Sequence, residues 1–222
     1  LADAYESAGR LDEAIDLLEQ ILSDRLRVLG PDHPDVLITR NNLANAYRSA
    51  GRLERSIRLL EQNLTDHERI LGPDHPRTLI SRNNLAGSYR EADRLDEAID
   101  LYERDLADGL RILSPDHPYI FNSRNNLAGT YYVAGRLDEA IPLFERTLAD
   151  RGRVLGPDHP DVLVTRNNLA LAYRAAGRLE QAIDLLEQSL SDRLRVLGPD
   201  HPDTLGARNN LASAYKSAGR LD

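Results

Sequence analysis

The hexapeptide LGPDHP returns every 42 residues and fixes what this chain can fold into. It stands at Leu29–Pro34, Leu71–Pro76, Leu155–Pro160 and Leu197–Pro202, and as LSPDHP at Leu113–Pro118. A second block, RNNLA, keeps the same step from Arg40, Arg82, Arg124, Arg166 and Arg208. A fixed period of this size means stacked units sharing a continuous seam rather than one globular core. It also sorts the residues. Those needed to fold each unit recur in all of them, whereas those that recognise one partner should break the pattern.

Several function classes fall away on composition. Of 222 residues 29% are charged, and the formal net charge is −8, which argues against nucleic acid as partner. No cysteine is present, which excludes thiol chemistry and Cys-ligated zinc. No apolar run approaches the ~18 residues of a membrane span, and no signal peptide is visible. A cytoplasmic protein without membrane contact is the expectation. His33, His75, His117, His159 and His201 recur one per unit, too far apart to share a metal, and none has a nucleophile beside it at the same phase. No catalytic residue, metal or cofactor is therefore expected, and the chain reads as a non-enzyme. His67, the one histidine outside the loop, reads as a surface residue.

Within the unit Gly30 to Leu71, GPDHP is loop chemistry. Pro34 suits the first turn of a helix, with Asp32 or His33 as cap. That helix should run to about Ala50, with Leu37, Leu43, Ala44 and Tyr47 inward and Arg40 at the edge. Gly51 supplies the positive φ of a C′ residue. A second helix over about Leu53–Leu71 carries Ile57, Leu60, Leu64 and Ile70 as its apolar stripe. The short link makes the pair an antiparallel hairpin.

Period alone also permits HEAT or armadillo units. Leu43-Ala44, Tyr47, Gly51, Leu53 and the alanines Ala14, Ala98, Ala140 and Ala182 resemble the tetratricopeptide (TPR) pattern, with Ser56 in place of that alanine once. The motifs LGPDHPDV at Leu29–Val36, NNLA at Asn41–Ala44 and AGRLDEAI at Ala8–Ile15 are similar to the 42-residue repeats of kinesin light chains and their bacterial relatives. The resemblance spans the whole chain. It implies an all-α right-handed superhelical solenoid of antiparallel hairpins, about eleven helices in all. The units are expected at approximately 1–29 (partial), 30–71, 72–113, 114–155, 156–197 and 198–222 (partial) of a single array. Arg40 stands where many TPRs have tryptophan. Asp93 stands where Gly51 would, and requires the left-handed region.

Two sets of polar residues repeat without change. Arg40 and its counterparts, set against Glu19, Glu61, Glu103, Glu145 and Glu187, suggest an Arg–Glu pair between the helices of each unit. Asn41 and Asn42 are mediocre helix formers held for their hydrogen bonds. By resemblance to peptide-binding TPRs, the first of the pair (Asn41, Asn83, Asn125, Asn167, Asn209) would bond a ligand backbone. A structural bridge between helices is the alternative. Asn42 is assigned to the packed side.

Ile38, Asn41, Asn45 and Arg48 share one helical stripe, which by resemblance lines the concave surface. At the phase of Arg48 stand Glu6, Arg90, Tyr132, Arg174 and Lys216. At the phase of Asn45 stand Gly87, Gly129, Leu171 and Ser213, small residues in part. At the phase of Ile38 stand Ile80, Asn122, Val164 and Gly206. A mostly basic row beside aliphatic patches suits an extended acidic peptide with apolar anchors. Undirected drift of exposed positions is the plain alternative. In the unit 114–155, Phe121 and Phe144 are expected to repack the core, as is Tyr102 at the phase of Phe144 one unit earlier, and Tyr132 to anchor a partner.

The expected function is a protein–protein interaction scaffold for a peptide segment or partner domain. Two alternatives stand beside it: a regulatory repeat domain of a larger signalling ATPase, which the resemblance suggests, and a head-to-tail self-assembling array. The chain contains no methionine, opens LADAYESAGRLD and closes LASAYKSAGRLD. Both ends cut through a unit, so a fragment of a longer array is expected, with Leu211 and Tyr215 partly uncovered.

Overall fold

The structure, a computed structural model, describes residues 10–220. The half helix expected over Leu1–Ala8, with Glu6, lies outside the described residues. Among them are ten α-helices and no strand: α1 Leu11–Leu29, α2 Pro34–Ser49, α3 Leu53–Leu71, α4 Pro76–Glu91, α5 Leu95–Ile112, α6 Pro118–Val133, α7 Leu137–Leu155, α8 Pro160–Ala175, α9 Leu179–Leu197 and α10 Pro202–Ser217.

The loop chemistry sets every helix start. Each even-numbered helix begins on the proline of DHP, and the histidine is the cap: His33 Nδ1 accepts the Asp35 N–H at 3.2 Å, and His75, His117, His159 and His201 do the same. An imidazole acceptor replaces the usual Ser or Asp oxygen and satisfies one of the orphan donors of the first turn. The helix ends are equally specified. Arg52 N–H bonds Tyr47 C=O at 2.8 Å and Gly51 N–H bonds Arg48 C=O at 2.9 Å, a Schellman closure with Gly51 at φ 70°. Asp93 closes the next hairpin in the same way at φ 59°, among the described residues the one non-glycine with positive φ. Carboxylates such as Asp96 and Glu97 sit in the first turn of the odd-numbered helices, toward the positive dipole end.

The chain divides between Leu113 and Ser114 into two compact units. In the first, α2/α3 and α4/α5 are hairpins, and α1 packs on α2. Ile15 and Leu18 meet Leu43, Ala46 and Tyr47, while Ala44, Ile57, Leu60 and Leu64 meet Leu85, Tyr89 and Ala98. Each fully buried Leu or Ile contributes about 1.5–3 kcal/mol, so the seam between hairpins carries the stability. Ser56, where sister helices have alanine, is buried with its Oγ 3.4 Å from Ser88 Oγ. Ile70 is no part of the stripe: it is 37% exposed, because the last turn of α3 runs past α4 into the loop.

In the second unit α6/α7 and α8/α9 are the hairpins, and α10 packs on α9. Ala170, Ile183 and Leu186 meet Ala214, with Leu211 and Tyr215 half-buried at the margin. Phe121 and Phe144 are buried, as expected. In the first unit Tyr102 is buried too, and Gly87 makes room for it. A Cβ at Gly87 would lie 3.4 Å from Tyr102 Oη, so this glycine is filled from beneath and leaves no open space.

The expected Arg–Glu pairing is wrong in its partner. Arg40 is buried, not at an edge, and Nη1 reaches Asp66 Oδ2 at 2.6 Å. Asp66 also takes Arg69 at 3.1 Å, and Arg69 chelates Asp32 of the loop. Loop, first helix and second helix are thus tied by one Arg–Asp–Arg–Asp chain. It recurs as Arg82–Asp108–Arg111–Asp74, Arg124–Asp150–Arg153–Asp116 and Arg166–Asp192–Arg195–Asp158. The glutamates join neighbouring hairpins instead. Tyr89 Oη donates to Glu61 at 2.6 Å and Tyr173 Oη to Glu145 at 2.5 Å, with Tyr47–Glu19 and Tyr215–Glu187 alike. Arg94 and Arg178 lie over the Tyr89 and Tyr173 rings at 4.2 and 4.1 Å. Burial, then the glutamate, pushes both phenols up to about 12, so they stay donors at any working pH.

Candidate functional site

Several residues that vary between repeats share one stripe of the even-numbered helices. In the first unit, Ile38 and Ile80 are 47% and 50% exposed, unusual for isoleucine, while their chain neighbours Leu37 and Leu79 are buried. One turn or more further on, Arg48 and Arg90 are half-buried. Arg48 Nε is 3.8 Å from Glu91, a partial neutralisation, and among the described residues Arg90 has no ion-pair partner. Asn45 is half-buried between them.

The asparagine pairs form a bridge between hairpins. Asn84 Nδ2 donates to Asn41 Oδ1 at 2.9 Å, and Asn210 Nδ2 to Asn167 Oδ1 at 2.7 Å. The first asparagine of one pair accepts from the second asparagine of the next. Asn83 Nδ2 lies 3.4 Å from the buried Asp105. Asn42 is exposed and Asn41 half-buried, so the packed-side assignment fails at Asn42; at its counterparts Asn84 and Asn210, which are half-buried and donate into the seam, it holds. The bridge runs 43 residues back along the chain, which gives Asn41 a partner on α4.

In the second unit the same phases hold a different surface. Val164 is 48% exposed, and Asn122 and Gly206 are exposed. Tyr132 and Leu171 are half-buried. Arg174 Nη1 donates to Ser213 Oγ at 2.7 Å, which holds it against α10, while Asn209 and Lys216 are exposed. Asn125 is half-buried, and its Oδ1 is buried without a hydrogen-bond partner among the described residues.

His67 is not a surface residue. It is 6% exposed, with its Nδ1 2.8 Å from Ser81 Oγ. Burial pushes its pKa down, against a hydrogen bond to the Asn63 backbone. It replaces an arginine that sequence reading passed over. At the same phase Arg25 and Arg151 reach across to the next helix. Arg25 bonds Asp35 C=O at 3.0 Å and Thr39, while Arg151 bonds Asp161 C=O at 3.2 Å, Thr165 Oγ1 at 2.6 Å and Asn122. Arg193 makes the Asp203 C=O contact at 3.4 Å. The signal was present, as three arginines at one phase.

The face is thus cations and aliphatic side chains on a rigid bridge of amides. Among the described residues no cluster of carboxylates and imidazoles suits a metal, and no helix is long and apolar enough to cross a membrane. The tetratricopeptide repeat profile matches residues 1–65, 40–107 and 119–194. The chain belongs to the tetratricopeptide-repeat family. TPR repeats mediate protein–protein interaction and are typically non-catalytic scaffolds. Among solved structures, this TPR chain is similar to the nearly identical kinesin-light-chain-type TPR-like repeats of Podosopora anserina. That match has 32% identity and TM-score 0.80, over 88% of this chain and 92% of that one. BtubC (BKLC) of P. vanneervenii shares the fold at 22% identity and TM-score 0.80, over 95% and 85%. MamA shares it at 18% and 0.58, over 88% and 95%. No curated protein matches the chain.

Proposed function

We propose that this chain is a protein-interaction scaffold that takes an acidic peptide segment with apolar anchors in its concave groove, on the exposed face of α2 and α4. One observation supports this above the others. Ile38 and Ile80 are each about half exposed, at the two positions one neighbouring unit apart, and Arg48 and Arg90 follow each of them along its helix. An extended acidic peptide would place apolar side chains on the isoleucines and carboxylates on the arginines. Arg90, lacking an internal partner, is the cation most available to it. Val164 and Arg174 repeat the combination on α8.

The test is fluorescence anisotropy with acidic and charge-neutral peptides that share apolar residues. Binding should weaken as salt rises, since these cations are partly exposed. Arg48→Glu with Arg90→Glu should abolish binding while far-UV circular dichroism stays unchanged. Absence of binding at low salt, or equal binding by the double variant, sinks the reading. A second reading has one observation of its own. Leu211 and Tyr215 are half-exposed where Leu169 and Tyr173 are buried, which favours stacking of α10 on a second copy. Sedimentation over a wide concentration range separates it from the first, since a strict monomer excludes the second copy.

A further inference from the structure

One hairpin departs from its sisters in depth as well as at the surface. At the phase held by Ile21, Asp105, Thr147 and Ser189 stands Asn63. Its side chain is fully buried, and neither Nδ2 nor Oδ1 has a hydrogen-bond partner among the described residues. A buried carboxamide left open at both ends is costly, because it surrenders its hydration and gains nothing back. Thr147 shows how the same depth is satisfied elsewhere, its hydroxyl donating to Leu143 C=O at 2.7 Å.

Asn63 lines a cavity of about 200 Å³ between α2, α3 and α4. Leu37, Ile38 and Ile80 make its apolar wall, with His67 deep and Arg77 at the exposed side. The origin of the space is legible in the repeat. Between α1 and α2 the Arg25 side chain spans this level and bonds Thr39. Between α3 and α4 the shorter His67 turns to Ser81, and Asp35 of the sister helix is replaced by Arg77. The guanidinium that would fill the seam is missing, and an amide lies behind the gap.

We propose that this cavity is a specificity pocket for a primary carboxamide, the side chain of a glutamine in the bound peptide. The proposal rests on the reading that the exposed face of α2 and α4 takes a peptide, and it names the residue that face selects. The chemistry follows from Asn63. One of its two N–H donors lies beside its C=O acceptor in a plane, and a second primary amide pairs with both at once. A carboxylate can take the N–H but leaves Oδ1 unpaired, and an aliphatic side chain leaves both unpaired. The apolar wall accommodates the two methylenes of glutamine. The amide atoms themselves have no solvent contact, so the guest must displace part of the pocket wall to reach them, and Ile80 and Arg77 are its exposed members. Exclusion of water is also what makes the pairing discriminate.

The test uses the full chain and three peptides identical but for one residue, Gln, Glu or Leu, in an acidic frame. Calorimetric titration should show Gln favoured over both others by at least about tenfold. Arg77 and an acidic-peptide preference would favour Glu, so a Gln preference cannot come from charge. Asn63→Thr borrows the residue that the array tolerates at Thr147 and keeps the fold; it should erase the preference while leaving the Leu peptide's affinity unchanged. Propionamide, followed by the His67 ring proton resonances, probes the pocket without the rest of the face. If propionamide and the Gln peptide perturb His67 but charge reversal at Arg90 has no effect, the pocket stands and the acidic-face reading falls. If acidic peptides bind with Gln, Glu and Leu equal, the face stands and the pocket holds only water. If Asn63→Thr retains the Gln preference, or nothing perturbs His67, the proposal is overturned.

Discussion

Asp66→Ala should damage this protein far more than its position on a half-exposed helix face suggests. The Arg40 side chain is 3% exposed, and Asp66 Oδ2, 2.6 Å away, is its ion-pair partner. Removing the carboxylate strands a buried guanidinium among Leu37, Leu43 and their neighbours. Breaking a buried pair in this way costs about 3–5 kcal/mol, a large share of a total that is typically ~5–15 kcal/mol. The same carboxylate also holds Arg69, so the loop loses its second anchor. Asp32→Ala is the control. It cuts the Arg69 chelate at the exposed end of the same chain, where both groups are more than half exposed and solvent screens the pair. Urea denaturation gives the size of each loss, and hydrogen exchange on α2 and α3 locates it, since a repeat array can fray unit by unit. Arg40→Leu with Asp66→Leu should recover much of the loss, because replacing both partners leaves no buried charge. Equal effects of Asp66→Ala and Asp32→Ala, or a double variant as weak as the single, would refute the reasoning.

Three further outcomes follow from the geometry. Asn41→Ala should cost about 1 kcal/mol more than Asn42→Ala in thermal or urea unfolding, since only Asn41 accepts from Asn84; equal losses would remove the amide bridge from the account. Asp93→Gly should stabilise by about 1 kcal/mol by relieving the left-handed backbone at φ 59°, and a loss would show that the aspartate has a role beyond the turn. Hydrogen bonds from Arg69, Arg111, Arg153 and Arg195 hold the Asp32, Asp74, Asp116 and Asp158 carboxyls below their usual range. Depressed carboxyls contribute stability that is complete above the unfolded value of ~3.9 and is lost as pH falls through the folded one. The melting temperature should therefore drop below about pH 4, and replacing all four with Asn should flatten that drop.

The period, the loop proline and the turn glycine made the hairpins legible, because each is a local backbone constraint. Asp93 was legible for the same reason. The partner of Arg40 was not. The second helix repeats two carboxylates, Glu61 and Asp66, and five residues place them about 140° apart around the axis. Which one faces arginine depends on how the hairpins stack, and that turns Glu61 toward Tyr89 of the next hairpin instead. The bridge Asn84 to Asn41 spans neighbouring units, so one helix read alone could not show that both asparagines of the pair serve it, the second as donor and the first as acceptor. His67 looked like an isolated polar residue until set against Arg25 and Arg151 at its phase. The variable face was legible as a pattern, in Ile38, Ile80, Arg48 and Arg90, whereas the unpaired amide of Asn63 beneath it was not. It lies in the second helix, where sequence gives no sign of which polar residue finds a partner.

Methyl NMR of the isoleucines tests the central claim most directly. Ile38 and Ile80 are exposed on the proposed binding face, whereas Ile15, Ile57, Ile99, Ile120, Ile141 and Ile183 are buried and serve as internal controls. On titration with a saturating acidic peptide that carries apolar anchors, the Ile38 and Ile80 δ1 methyl signals should shift at low salt and return as salt rises, with the buried methyls nearly still. Shifts confined to other surfaces, or none at Ile38 and Ile80 when binding is shown by anisotropy, would contradict the account.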